Sequence, residues 1–274
     1  MKSLIALVAL YVVAICTPWG QRAENSLLVG YADPALIYRI VYSVGPPPLK
    51  LEELTIVAGL TLILVVALLR RQWILAVAGI GVPVATIACT ELLHTVILPR
   101  PDIVNAPISE IEPSFPSGHV AIVAGLVLGA ILVATPRARP YVAAVGTVWL
   151  ALIGAAVVAL LWHRPSDAIG ATLIACFWYG IATRLLTKQQ QPTATPRTLI
   201  VLGLAAIGAI CGGARTDSYP RSFVFIATGL LCATIVWFTV ARTSPAAAAR
   251  SRLSSGTPEP HATADRVAPR RPPQ

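Results

Sequence analysis

Eight apolar stretches of 16 to 26 residues leave this chain little choice but a bundle of membrane helices. They run near residues 3 to 18, 52 to 69, 73 to 98, 118 to 135, 141 to 162, 167 to 183, 198 to 213 and 223 to 241. Crossing the roughly 30 Å hydrocarbon core of a bilayer takes about 20 helical residues. Each stretch is therefore read as a span, the second, sixth and seventh by drawing on flanking polar residues. Composition agrees, because 12% charged residues against 56% hydrophobic is about half the charge of an ordinary soluble domain. The expected fold class is all-α, a polytopic transmembrane bundle of about eight helices. Residues 1–185 make a six-helix core, and 186–242 add two further transmembrane helices with a linker. The stretch 243–274 is rich in Ala, Pro, Ser and Arg, has almost nothing large and apolar to bury, and reads as a disordered basic cytoplasmic tail.

Basic residues set the orientation, since short cytoplasmic loops collect Lys and Arg. With the N-terminus inside, fourteen of the 21 basic residues are cytoplasmic, among them the Arg70-Arg71 and Arg137/Arg139 pairs, and seven lie outside. The formal charge of +9 is thus mostly a topology signal, and no basic and aromatic stripe points to nucleic acid. The first stretch also resembles a signal peptide, with Lys2 ahead of an apolar run. It is read as a retained helix because no small-x-small cleavage site follows. Residues 20 to 51 read as the longest outer loop, with a short interfacial helix near Ala35 to Tyr42. All five cysteines lie inside apolar runs, where a thiol acts as a small hydrophobe, so neither a disulfide framework nor a thiolate metal site is expected.

Three polar clusters interrupt the apolar pattern: Pro99-Arg100-Pro101-Asp102, Ser114-Phe115-Pro116-Ser117-Gly118-His119 and His163-Arg164-Pro165-Ser166-Asp167. Helix alternation puts all three on the outer face; had one fallen inside, a common site would be excluded. Each suits a phosphate. Ser117 and Gly118 open a helix, offering backbone N–H groups and the positive dipole end to an anion. Arg100 carries a planar fork of donors that matches phosphate oxygens. Pro165 sits well as a first helical residue, and Asp167 in the first turn reaches back to one imidazole nitrogen of His163, leaving the other as base or nucleophile. Glu91 and His94 share a helical face at i and i+3, so that Glu91 pairs with His94 or Arg100. Glu110 and Glu112 are read as solvated.

The Pro-Ser-Gly-His segment at 116 to 119, Arg100-Pro101 upstream and His163 ahead of Asp167 resemble the type 2 phosphatidic acid phosphatase superfamily, relatives of the vanadium haloperoxidases. The likeness spans roughly residues 50 to 185. It implies a six-helix membrane core with an outward-facing site. In it His163 attacks phosphorus, Asp167 orients His163, His119 protonates the leaving alcohol, and Arg100, Ser117 and Gly118 hold phosphate oxygens. The family needs no metal, and no cofactor is expected. Two of the family's cationic positions differ: its lysine seven residues before the arginine is Leu93 here, and its Ser-Arg ahead of the nucleophile is Ala156-Val157. His94 and Arg164 are the local candidates to replace them.

The reading that follows is an integral membrane enzyme cleaving a phosphomonoester or pyrophosphate from a lipid at the outer leaflet, its partners being that lipid phosphate and the surrounding membrane lipids. Two alternatives stand beside it. One is a noncatalytic relative that binds a phospholipid headgroup or scaffolds a complex. The other is a transporter, which ranks last because the charges sit at helix ends and not at the midplane.

Overall fold

A computed structural model describes residues 2–29, 47–107, 113–186 and 198–243. The expected interfacial helix near Ala35 to Tyr42, the glutamates Glu110 and Glu112, and the tail from 244 onward lie outside the described residues. Within them the chain is all-helical: α1 (Lys2–Ile15), α2 (Pro18–Asn25), α3 (Glu52–Leu69), α4 (Trp73–Leu92), α5 (Gly118–Val133), α6 (Arg139–Ala159), α7 (Pro165–Leu185), α8 (Thr198–Gly213) and α9 (Tyr219–Thr243). A π-helical turn, Leu93–Ile97, continues α4.

Each of the eight apolar stretches forms a helix, though not all reach the length usual for a span. Five of the described helices are long and apolar enough to cross a membrane, or six if the bent pair α1 and α2 makes one span, and α5 and α8 stop at 16 residues. Local chemistry ends them early. Proline at 136 stops α5 just after Val133, and α8 ends on Gly212-Gly213, which add backbone freedom and no packing. A helix of 16 residues measures about 24 Å, which suffices for α5 because protein, not lipid, surrounds it. Thirteen of its residues are buried, the pattern of a helix apolar on all faces at the centre of a bundle. By contrast Leu54, Val57, Leu62 and Leu69 of α3 and Trp73, Ile74 and Val77 of α4 are exposed. An apolar surface of that extent is stable only against lipid, so the chain is a membrane protein.

A correction concerns the N-terminal segment. Residues 18–25, expected to lie largely in an outer loop, form α2, which turns 79° away from α1. Thr17 caps it by accepting from the Gly20 N–H at 3.1 Å, and Pro18 opens it, the usual start of a helix. Its Gln21, Arg22, Glu24 and Asn25 are polar, so α2 lies outside the spanning segments.

Small residues set the close contacts. The Cβ of any larger residue at Gly129 of α5 would collide with the Gly79 carbonyl and approach Pro83 Cδ to 3.0 Å, both on α4. Likewise a Cβ at Gly229 of α9 would strike the Ala151 carbonyl of α6. This small-residue packing is how membrane helices gain contact where no hydrophobic drive acts between them.

Candidate active site

The three polar clusters meet at one end of the bundle. α6 closes with a Schellman motif: Leu161 N–H donates to the Val158 carbonyl at 3.0 Å and Trp162 N–H to the Val157 carbonyl at 3.1 Å. The left-handed residue that this motif requires is Leu161, at φ 63°, where glycine is the usual occupant. The turn delivers His163, whose own N–H also reaches the Val157 carbonyl, at 3.2 Å.

His163 Nδ1 lies 3.2 Å from the Ser114 carbonyl and 3.4 Å from Asp167 Oδ2. Both partners are acceptors, so Nδ1 carries the proton and Nε2 keeps its lone pair. Asp167 is fully buried and held in turn, since its Oδ2 accepts from the Arg164 N–H at 2.8 Å. The His119 ring centroid stands 6.0 Å from that of His163 and 5.4 Å from that of Trp162.

Arg164 is buried to 3% exposure, and its Nη1 donates to Ser114 Oγ at 2.6 Å. A side chain so placed is not reaching for lipid headgroups. Burial, seconded by the nearby positive charge of Arg164, lowers the Arg100 pKa from its ordinary value. Two guanidinium groups thus converge beside the His163–Asp167 pair.

Ser117 and Gly118 stand where α5 begins, with one difference from expectation. The Ser117 N–H is not available to an anion, because it donates to the Asp167 carbonyl at 3.0 Å and thereby ties α5 to α7. The Ser117 hydroxyl, by contrast, is buried with no hydrogen-bond partner. Space in front of Gly118 is open: a Cβ there would meet only Glu52 Oε1, at 3.9 Å. His94 has a buried Nδ1 without a hydrogen-bond partner, and no hydrogen bond or ion pair joins it to the other described site residues. Glu91 is exposed and pairs with neither His94 nor Arg100.

Arg100 has its partners in α2. Its Nη2 donates to Asn25 Oδ1 at 3.0 Å, and Nη1 lies 3.8 Å from Glu24 Oε2. The N-terminal helices bracket three consecutive residues: Tyr11 donates its hydroxyl to the Pro99 carbonyl at 2.7 Å, Glu24 and Asn25 hold Arg100, and Gln21 donates to the Pro101 carbonyl at 2.6 Å. Glu24, Asn25 and Glu52 are the site residues that the sequence did not single out. For the first two, Thr17-Pro18 as a cap and first-turn pair was the available signal.

The fold and site define an all-helical membrane protein with an oriented histidine, a second histidine and two arginines at one helix-end cluster. The family model described as the PAP2 superfamily matches residues 72–191, which contain every one of those groups. No curated protein and no solved structure matches the chain.

Proposed function

We propose that the protein is a lipid phosphate phosphatase working through a phosphohistidine. The observation that carries this reading is His163 itself, held by two acceptors on Nδ1 with a second imidazole 6.0 Å away. In the first step Nε2 of His163 attacks phosphorus, an N–P bond forms, and the P–O bond to the lipid breaks as His119, protonated once the phosphate dianion sits beside it, gives its proton to the departing oxygen. In the second step water attacks the phosphohistidine, His119 takes a proton from it, and phosphate leaves with His163 restored. Arg100, Arg164, the Ser117 hydroxyl and the first N–H groups of α5 hold the nonbridging oxygens as charge shifts onto them. Asp167 keeps the tautomer.

A lipid substrate is supported by an apolar groove of about 750 Å³ between α3, α5 and α6, lined by Leu51, Leu54, Leu126, Val145 and Trp149. Its Leu51 end is one residue from Glu52, which faces Gly118, so a phosphate at the histidines lets its alkyl or prenyl tail lie along the groove. With the N-terminus cytoplasmic, this end of the bundle faces the extracytoplasmic side and the C-terminal tail the cytoplasm.

The noncatalytic reading has one observation in its favour, the apolar Leu93 and Val157 where the family carries cations. Purified protein tested against polyprenyl and glycerolipid phosphates and pyrophosphates, with released phosphate as readout, separates the two. Turnover is expected, with vanadate inhibiting as a pentacoordinate mimic. His163→Ala is expected to abolish both turnover and phosphohistidine trapping. Full activity in His163→Ala refutes the mechanism, and a folded wild type that releases nothing but binds headgroups supports the alternative.

A further inference from the structure

Glu24 lies outside the residues that match the family, yet it is built into the phosphate end of the site. Its Oε1 accepts from the Ser166 N–H, at the N-terminus of α7, at 3.1 Å. Its Oε2 faces Arg100 Nη1 at 3.8 Å, too far for a hydrogen bond, and both of these buried atoms lack any hydrogen-bond partner. Two donors of the kind a phosphate oxygen uses, a guanidinium and a helix-start N–H, are therefore engaged by a carboxylate from another element.

We propose that Glu24 is a positioning residue that competes with the substrate phosphate for Arg100, so that the site grips a dianion tightly only when Glu24 is uncharged. The proposal rests on the reading that Arg100 holds phosphate. The groups facing Glu24 are Arg100 on the loop after α4, with Arg164 behind it, and Ser166 and Asp167 on α7. Asp167 is already negative and buried, and an incoming phosphate brings two further charges. An ionised Glu24 would add one more beside them and neutralise Arg100, whereas a neutral Glu24 still accepts from Ser166 and leaves Arg100 to the ligand.

The ionisation falls in a useful range. Burial, seconded by the charge of Asp167, pushes the Glu24 carboxyl up to about 7, against the pull of Ser166 and Arg100. Below that value Glu24 is neutral and the anion site open; above it the site closes, so affinity falls as pH rises. A single group linked to binding in this way changes affinity by up to about tenfold per pH unit above its pKa.

Sulfate tests this, because it stays a dianion across the range and needs no turnover. Its dissociation constant is read from thermal unfolding of the purified full chain at constant ionic strength, at pH 6 and pH 8.5. Wild type is expected to bind at least about tenfold more weakly at pH 8.5. Glu24→Gln is expected to bind alike at both, apart from the slope that the histidines contribute, and in turnover to lose the alkaline rise in KM. A Glu24→Gln protein that keeps the wild-type slope, or binds sulfate more weakly at pH 8.5, overturns the proposal. Should Glu24→Gln not fold, Asn25→Asp sets a second carboxylate on Arg100 and must weaken sulfate at pH 6; unchanged affinity there overturns it equally. If the sulfate difference appears but no lipid phosphate is hydrolysed, only the enzymatic reading falls.

Discussion

Arg164 is the residue on which the proposed chemistry turns, because the position where the resemblance expects an arginine is the fully buried Val157. A cation introduced there would sit in packed helix, where an unpaired charge is costly. Arg164 reaches the same neighbourhood from the loop side, anchored on Ser114 Oγ and standing beside Arg100. If it supplies the missing grip, Arg164→Ala lowers turnover by at least about tenfold, as expected for an oriented charged donor. Arg164→Lys restores only part of it, because one ammonium cannot both hold Ser114 and present a fork. Steady-state kinetics on the purified variants decide this, and unchanged kinetics in Arg164→Ala would remove Arg164 from the phosphate site. The His163–Asp167 relation was legible in the sequence because it is local, a loop residue and a first-turn carboxylate four apart. The ties of Arg100 to Glu24 and Asn25 were not. They join residues about 75 positions apart, and a polar octapeptide between apolar runs has no periodicity that names its partner.

Helices α8 and α9 lie beyond the matched residues, yet they brace the element that carries the proposed nucleophile. Both pack against α6, and the turn between them sends Arg215 back to its end, where Nη1 donates to the Ala159 carbonyl at 2.8 Å. That carbonyl belongs to the last turn of α6 and has no partner within the helix. A guanidinium there satisfies it and complements the negative dipole end. Arg215 is itself held by two bonds of 2.9 Å to Asp217. Arg215→Ala removes both bonds to Asp217 and frees the α6 cap, and a loss of about 3–5 kcal/mol is expected for breaking such a pair. Thermal unfolding of the variant checks it, with turnover expected to fall alongside as the His163 turn loosens. At this scale the apolar pattern located all eight long helices, since burial in lipid or protein demands the same residues. It could not separate the two environments: α5, walled in by protein, reads in sequence like a short lipid-facing helix.

For the whole molecule, the clustering of Arg100, Ser117, His119 and His163 at one end of the bundle turns a local chemical reading into a statement about sidedness. Pro101, Ser117 and Ser166 are mutually linked through Gln21, Glu24 and the Asp167 carbonyl, so these loops cannot lie on opposite faces of a membrane. The turn between α5 and α6, with Arg137 exposed, lies one helix length away, at the far end of α5. The proposed orientation has the positive charge there and at Arg70-Arg71 on the cytoplasmic side and the histidines outside, where an outer-leaflet lipid can present its phosphate. Asp102 is exposed beside the site, its side chain accepting from the N–H groups of Val104 and Ala106, which makes it a gentler reporter than the buried Ser166. In a background without the native cysteines, Asp102→Cys is expected to react with a membrane-impermeant maleimide in intact cells, and Arg137→Cys only after lysis. The reverse pattern would place the site in the cytoplasm, and the substrate would then have to be sought among lipids of the inner leaflet.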